Sequence, residues 1–176
     1  RYVEVMAGGT IEASAGFAGQ SGFGIRRTVL HEAMVRRALD LGVAIRWGVA
    51  FDGLHPDGLH PDGVTIDGEP LCARWIVGAD GHESRVRRDL GIDSPVSSHR
   101  VGLRRHYRIE PWSDQVEVHW TSGCEAYITP IARDEICVAL LSDGKPAGFD
   151  SSLARFPAVA RRLAGVSVAS AQGASN

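Results

Sequence analysis

The sequence predicts an α/β chain that gives way to a mostly antiparallel β lobe, and three observations carry that expectation. An apolar stripe at helical spacing runs from Arg27 to Leu41 between strand-like runs. An apolar run, Leu71 to Val77, delivers a small-residue turn, Gly78-Ala79-Asp80-Gly81, followed by a short helical pattern. From residue 99 onward, four alternating runs succeed one another with only turns between them, the pattern of an antiparallel sheet. The expected division is an α/β part over 1–92 that opens on a hairpin, a β lobe over 93–149, and a helix with a tail over 150–176.

Each element has its own local reason. Tyr2 to Met6 and Thr10 to Ser14 alternate about Gly8-Gly9, a hairpin. Gly16 to Gly24 is glycine-rich and reads as a loop. Val29, Leu30, Ala33, Met34, Ala38 and Leu41 recur every three or four residues, with Gly42 placed to cap the helix. Val43, Ile45, Trp47, Val49 and Phe51 alternate, so 43–51 reads as a strand. The tandem repeat Leu54-His55-Pro56-Asp57-Gly58, Leu59-His60-Pro61-Asp62-Gly63 is turn chemistry, a lengthened hairpin tip rather than a histidine metal site. Leu71 to Val77 reads as a buried strand, and Ser84 to Leu90 as a helix with Ser84 as N-cap and Gly91 after its end. Strands are expected at 99–109, 115–120, 125–131 and 135–141. Ser151 to Leu163 reads as a last helix that Pro157 must kink or split. The chain starts in mid-alternation without Met and closes on small polar residues, 166–176, read as a frayed tail; a segment of a longer chain is expected.

Composition excludes several classes. Nineteen basic against 21 acidic residues leave a formal net charge of −2, without the basic excess of a nucleic-acid binder. No apolar run approaches the ~20 residues of a membrane helix. Cys72, Cys124 and Cys137 are an odd set with no C-x-x-C pair, which fits a reduced, cytoplasmic protein and no metal site. His31-Glu32 and His82-Glu83 lack the second histidine of a zinc-peptidase helix, and no Gly-x-Ser-x-Gly elbow occurs.

The informative stretch is Gly78-Ala79-Asp80-Gly81-His82-Glu83-Ser84-Arg85-Val86-Arg87. A strand that ends in small residues leaves room for a ligand at the carboxyl edge of a sheet. Gly81 can adopt positive φ. Asp80 supplies a carboxylate, and Arg87, seven residues on, is placed to pair with it. This stretch resembles the Gly-Ala-Asp-Gly-x-x-Ser-x-Val-Arg motif of flavin-dependent monooxygenases and reductases of the p-hydroxybenzoate hydroxylase fold, with every fixed position matched. The resemblance implies a partial FAD-binding domain of that fold plus an antiparallel β substrate lobe. It implies that Asp80 and Gly81 lie near the FAD pyrophosphate, with a part in nicotinamide nucleotide binding, and that Arg87 belongs to the same cofactor-binding set. Upstream, Arg27-Thr28-Val29-Leu30 is similar to the family's Arg-x-x-Leu at a helix start, where Arg27 would approach the FAD ribityl or phosphate region; Arg26 is the competing assignment. Phe51 closes a run similar to the family strand whose last residue contacts adenine through its backbone.

No Gly-x-Gly-x-x-Gly follows an N-terminal strand, since Gly19 to Gly24 has other spacing, and no later Gly-Asp motif occurs. The chain therefore reads as the middle of a flavoprotein, expected to be inactive alone. In the family the antiparallel sheet forms the substrate cavity. Arg104, His106, His119, Trp120 and Tyr127 are the polar or aromatic candidates there, with Arg104 and His106 on one face and suited to an anionic substrate. Spacing selects no catalytic acid–base pair. The resemblance implies an FAD- and NAD(P)H-dependent monooxygenase hydroxylating a small organic substrate. Its alternatives are a flavin reductase of the geranylgeranyl-reductase type and a non-catalytic ligand-binding module. A flavin halogenase would need an active-site lysine, and Lys145, the sole lysine, sits in a turn.

Overall fold

Alternating side chains in the second half commit the chain to a sheet with two unlike faces. The computed structural model describes residues 2–6, 9–16, 18–54, 63–94, 100–144 and 148–175, with the backbone alone for 2–6, 9–10 and 171–175. The chain divides into two compact units, residues 1–33 with 98–176, and residues 34–97.

The first unit is built on a seven-stranded sheet. Its strands are β1 (Tyr2–Met6), β2 (Gly9–Ala13), β6 (Arg100–Arg108), β7 (Glu117–Thr121), β8 (Cys124–Ala132), β9 (Glu135–Asp143) and β10 (Val168–Ser175), in the order β10-β6-β9-β8-β7-β1-β2. The β1–β7 pairing is parallel, and the other pairings are antiparallel. Helices α3 (Phe149–Leu153) and α4 (Pro157–Leu163) cover one face. Leu103 and Tyr107 of β6, Ile136, Val138 and Leu140 of β9, and Cys124, Ala126 and Ile128 of β8 form the core there. Phe149, Leu153, Phe156, Val159 and Leu163 close it from the helix side. Arg105 fastens α3 to the sheet: its guanidinium donates to Asp150 at 2.7 Å and lies 4.2 Å from the centre of the Phe149 ring. Pro157 splits the last helical segment in two, as its missing N–H requires, and becomes the first residue of α4.

The second unit carries a three-stranded antiparallel sheet, β3 (Phe51–Leu54), β4 (Gly63–Ile66) and β5 (Glu69–Cys72), and the short helix α2 (Arg85–Asp89), which packs on β3. The histidine-bearing repeat at the β3–β4 tip, with His55 and His60, lies outside the described residues, as does Lys145. Helix α1 (Arg27–Asp40) forms as its periodicity predicts. Gly42 at φ +78° ends it, with Val43 N–H donating to Ala38 C=O and Gly42 N–H to Leu39 C=O, the paired bonds of a Schellman cap. None of its residues is buried.

Three expectations are corrected. Residues 43–50 form no strand, and β3 begins only at Phe51. The run expected to be a buried strand at 71–77 is paired only to Cys72, and beyond it Trp75 and Val77 are 80% and 83% exposed. Both runs have strand-like composition, but a strand exists through its ladder, and neither run has ladder partners over these residues among those described. The C-terminal stretch read as a frayed tail is instead strand β10, which adds to the free edge of β6. Edge pairing satisfies backbone groups whatever the side chains, so composition alone does not reveal it.

The core side of the sheet sets stability. Leu140 is 1% exposed, and Leu140→Ala is expected to cost roughly 2–5 kcal/mol. A fall in the denaturant midpoint at constant slope checks it.

Candidate functional site

The turn after residues 71–77 is shaped by the first turn of α2. Four backbone N–H groups at a helix start lack helical partners. Ser84, buried at the N-cap, accepts from Arg87 N–H at 3.0 Å and donates to Asp80 Oδ1 at 2.5 Å. Asp80 Oδ2 accepts from Arg85 N–H at 2.7 Å and Val86 N–H at 3.3 Å. The Ser84 hydroxyl, then these amides, hold the Asp80 carboxyl below its usual pKa. Gly78 sits where a Cβ would come within 2.9 Å of Val86 Cγ1, so the turn closes on the helix only with glycine there. Gly81 has φ +83° and open space around it.

The expected Asp80–Arg87 pair does not form. Arg87 Nε donates to Asp93 Oδ1 at 3.1 Å, Nη1 to Gly81 C=O at 2.9 Å, and Nη2 to His82 C=O. Asp80 caps the front of the helix, while Arg87 reaches back across the carbonyls of the turn. The motif residues thus bond mainly to one another, holding the turn against the start of α2. Phe51 opens β3, half-buried.

The first unit holds a cavity of about 360 Å³ on the face of the sheet opposite α3 and α4. The ladder register explains its floor. His106 stands opposite Cys137, and Cys137 opposite Thr129; Arg104 stands opposite Ala139, and Ala139 opposite Tyr127. Cross-strand neighbours share a face, so Arg104, His106, Thr129 and Cys137 present together. The wall comes from Ile25, Arg26, Arg27 and Thr28 at the start of α1. Ser170 of β10 completes the lining.

Two contacts pin that wall to the sheet. A Cβ on Gly24 would fall 2.1 Å from the Pro130 carbonyl oxygen, so only glycine allows the chain to cross β8 this closely. Arg26 Nε donates to Glu135 Oε1 at 2.6 Å, a charge-assisted bond to a carboxylate only 10% exposed. That bond, more than the opposing cost of burial, lowers the Glu135 pKa. Arg26 is therefore occupied. Arg27, exposed in the first turn of α1, has no ion pair among the described residues, and neither has Arg104. His106 Nδ1 lies 2.8 Å from Ser170 Oγ. Burial first, then Arg26 and Arg104, push its pKa below the ordinary imidazole value against the pull of Glu135. Burial raises the Cys137 thiol, which keeps it protonated.

The sheet sorts the five substrate-lobe candidates by face. Arg104, His106 and Tyr127 share the cavity face, although Tyr127 is not among the cavity-lining residues and instead donates to Glu125 Oε2 at 2.5 Å. Trp120 shares that face. His119 stands opposite Ala126 on the helix-covered face, with Nε2 3.2 Å from Glu117 Oε2. Sequence reasoning did not single out Gly24, Glu135, Thr129, Cys137 or Ser170. Thr129 and Cys137 become visible only once register is known, and Ser170 lay in the stretch read as tail.

The chain matches the family model described as FAD binding domain over residues 9–125. A rifampicin monooxygenase of Streptomyces venezuelae is 40% identical over 77 residues, which are 44% of this chain and 16% of that protein. Among solved structures, a flavin-dependent brominase superposes with a TM-score of 0.78 at 15% identity, over 99% of this chain and 48% of that one. The myxobacterial chondrochloren halogenase gives 0.76 at 14%, over 99% and 47%. A probable FAD-dependent monooxygenase from Pseudomonas aeruginosa gives 0.54 at 24%, over 76% and 39%. This chain spans under a fifth of the curated relative and under half of these solved structures. At these identities the structural likeness is one of fold.

Glu135 ties wall to sheet through its ionised form. Its folded pKa is lowered, so the stabilisation is fully present above the unfolded carboxyl pKa of about 4.3 and is lost as pH falls through the lower folded value. Glu135→Gln is expected to lower stability at neutral pH and to lose less on acidification than the unsubstituted chain. Thermal midpoints between about pH 7 and pH 3 check this.

Proposed function

The chain belongs to the FAD binding domain family of flavin-dependent monooxygenases, with the p-hydroxybenzoate hydroxylase-like fold, and on that premise we propose that it carries the substrate-side half of an oxygen-inserting flavin site. One observation carries the reading: Arg27, from the helix start that the resemblance gives to FAD, lines the same cavity as Arg104 and His106 on the sheet that it gives to substrate. A cofactor-side group and substrate-side groups are what a flavin hydroxylase must bring together.

The residues present fit FAD. Arg27 is a cation without an ion partner among the described residues, on the first turn of a 14-residue helix whose N-terminus also favours anions. Gly81 offers open space beside a carboxylate and backbone groups already fixed by the α2 cap. Arg27 would hold the ribityl or phosphate region, the Phe51 backbone the adenine, and the Asp80-Gly81 turn, stiffened by Arg87, the pyrophosphate. When bound, FAD supplies the redox chemistry, with NAD(P)H as electron donor and oxygen as oxidant. The rest falls to side chains. The sheet floor binds a small organic substrate and orients it. The Gly24 crossing and the Arg26–Glu135 bond keep the wall closed on the floor and limit water. His106, neutral at physiological pH, exchanges a hydrogen bond with substrate without adding charge.

No described helix is long and apolar enough to cross a membrane. A cytoplasmic protein is part of the same proposal, consistent with three free cysteines.

Flavin fluorescence during an FAD titration tests the cofactor half. Saturable binding is expected, weakened about tenfold or more by Arg27→Gln, since a charge-assisted bond is worth about 1.5–3 kcal/mol. Asp80→Ala is expected to weaken it through the loosened turn. In the complete protein, product formation that requires oxygen is expected. Oxygen-independent reduction of a substrate double bond would instead identify a reductase.

A further inference from the structure

The chain has three tyrosines, and the large sheet sets two of them in opposite chemical surroundings. Tyr107 is buried against Phe149 of α3, and its hydroxyl accepts from Arg105 Nη1 at 3.5 Å, a guanidinium that has no means of taking up a proton. The side chain of Tyr2 lies outside the described residues. Tyr127 stands on the other face of the sheet, between Val118 of β7 and Ala139 of β9 in the ladder. Its hydroxyl donates to Glu125 Oε2 at 2.5 Å, the length of a charge-assisted bond from a hydroxyl to a carboxylate. Strand alternation puts Glu125 on the same face as Tyr127. Arg100 holds the other carboxylate oxygen, with Nη2 donating to Glu125 Oε1 at 2.5 Å and Nε to Asp143 Oδ1 at 3.1 Å. The Tyr127 hydroxyl, against the cost of burial and then with Arg100, holds the Glu125 carboxyl below the ordinary carboxylate range, so the group is ionised at neutral pH.

We propose that Tyr127 is a redox-active tyrosine, which gives up one electron to a strong oxidant of the peroxide-derived radical class while its proton passes to Glu125. The electron leaves the phenol for the oxidant, the O–H bond breaks, and Glu125 Oε2 takes the proton along the hydrogen bond already in place. The products are a neutral phenoxyl radical, a carboxylic acid and the oxidant reduced by one electron. A phenol that lost the electron and kept its proton would be a strongly acidic cation, so even a carboxylate of lowered pKa takes that proton. A base must stand within hydrogen-bond reach of the proton it takes. Glu125 does so, whereas Arg105 beside Tyr107 offers no base. Trp120 stands opposite Glu125 in the β7–β8 ladder and therefore diagonal to Tyr127 on the same face, the next ring to share the oxidised state. Tyr127 is not among the cavity-lining residues, so it acts beside the cavity rather than on its contents. The source of the oxidant rests on the oxygen-using flavin reading; the chemistry of the Tyr127–Glu125 pair does not.

The experiment needs no flavin. The purified chain is oxidised with photogenerated tris(bipyridine)ruthenium(III), a one-electron oxidant, and frozen for electron paramagnetic resonance, which separates tyrosyl from tryptophanyl radicals. Trp47 and Trp75 are exposed and compete for the oxidant, so the tyrosyl signal alone is scored. That signal is expected to be lost in Tyr127→Phe and kept in Tyr107→Phe. Glu125→Gln is expected to slow its formation about tenfold or more, the least that a positioned base contributes. Formation in the unsubstituted chain is expected to be slower in deuterium oxide than in water, a dependence that a merely structural Glu125 would not produce. Circular dichroism verifies that each variant is folded, and Tyr127→Phe removes a single hydroxyl, so the test does not hang on the carboxylate variant. A tyrosyl signal that survives Tyr127→Phe, a Glu125→Gln variant that matches the unsubstituted rate, equal rates in the two solvents, or tryptophanyl radicals with no tyrosyl signal overturns the proposal. A chain that binds FAD but forms no Tyr127 radical keeps the family reading and loses the redox-active tyrosine; a chain that forms the radical but binds no FAD does the reverse.

Discussion

The register of β6, β9 and β8 is the constraint on which the first unit depends. Side chains alternate across a sheet, so a single slip would carry Leu103, Val138 and Ala126 out of the core and Arg104, Cys137 and Tyr127 into it. Burying an unpaired guanidinium under α3 and α4 would cost several kcal/mol, and the same slip would forfeit the packing of Leu140 and Ile136. Core and cavity are therefore two sides of one choice. The apolar face fixes the register, and the register decides which polar groups meet on the other face. This is why His119, chemically as plausible as His106, is removed from the cavity: it stands opposite Ala126 and shares a buried neighbourhood with Glu117 and Trp112.

A sheet face alone is flat, and a cavity needs a wall. The wall here comes from residues far away in sequence, laid across β8 by the absence of a side chain at Gly24 and tied to β9 by Arg26 and Glu135. An ion pair of this sort costs desolvation on both sides and is weak evidence for stability by itself. Its consequence is geometric. Because Arg26 is spent on Glu135, the adjacent Arg27 is left to the cavity, and the ambiguity between two neighbouring arginines is resolved by which of them finds a carboxylate.

Legibility followed how local each determinant is. The α1 cap, the Ser84 N-cap, the Pro157 split and the four strands of the β lobe rest on residues a few positions apart, and sequence suffices for them. The Gly78–Arg87 motif was recognisable by pattern, but its internal wiring was not. By spacing Asp80 is free to pair with Arg87, whereas the Ser84 hydroxyl and the Arg85 and Val86 N–H groups at the helix start take the same carboxylate at short range. The runs at 43–51 and 71–77 misled because alternation and apolarity report the surroundings a strand is suited to, not whether ladder partners are within reach. Trp47, Trp75 and Val77 carry core-like composition and stand 65–83% exposed, and Val29, Leu30 and Met34 of α1 are likewise uncovered. Ser170 was illegible for the opposite reason: small, polar sequence can be held in a ladder entirely by its backbone.

Of the three arginines around the cavity, Arg26 is neutralised, while Arg27 and Arg104 have no ion pair among the described residues. A positive surplus in a partly enclosed space raises the cost of protonating His106 and lowers the cost of bringing in an anion. The same two cations also sit on different supports, Arg27 on a helix start and Arg104 on a strand. Anionic groups approaching from the two supports would each meet a cation, with neutral His106 the polar group beside Arg104 that does not add to the positive charge. A lysine or a charged imidazole in its place would make the cavity more attractive to any anion and less able to tell one from another.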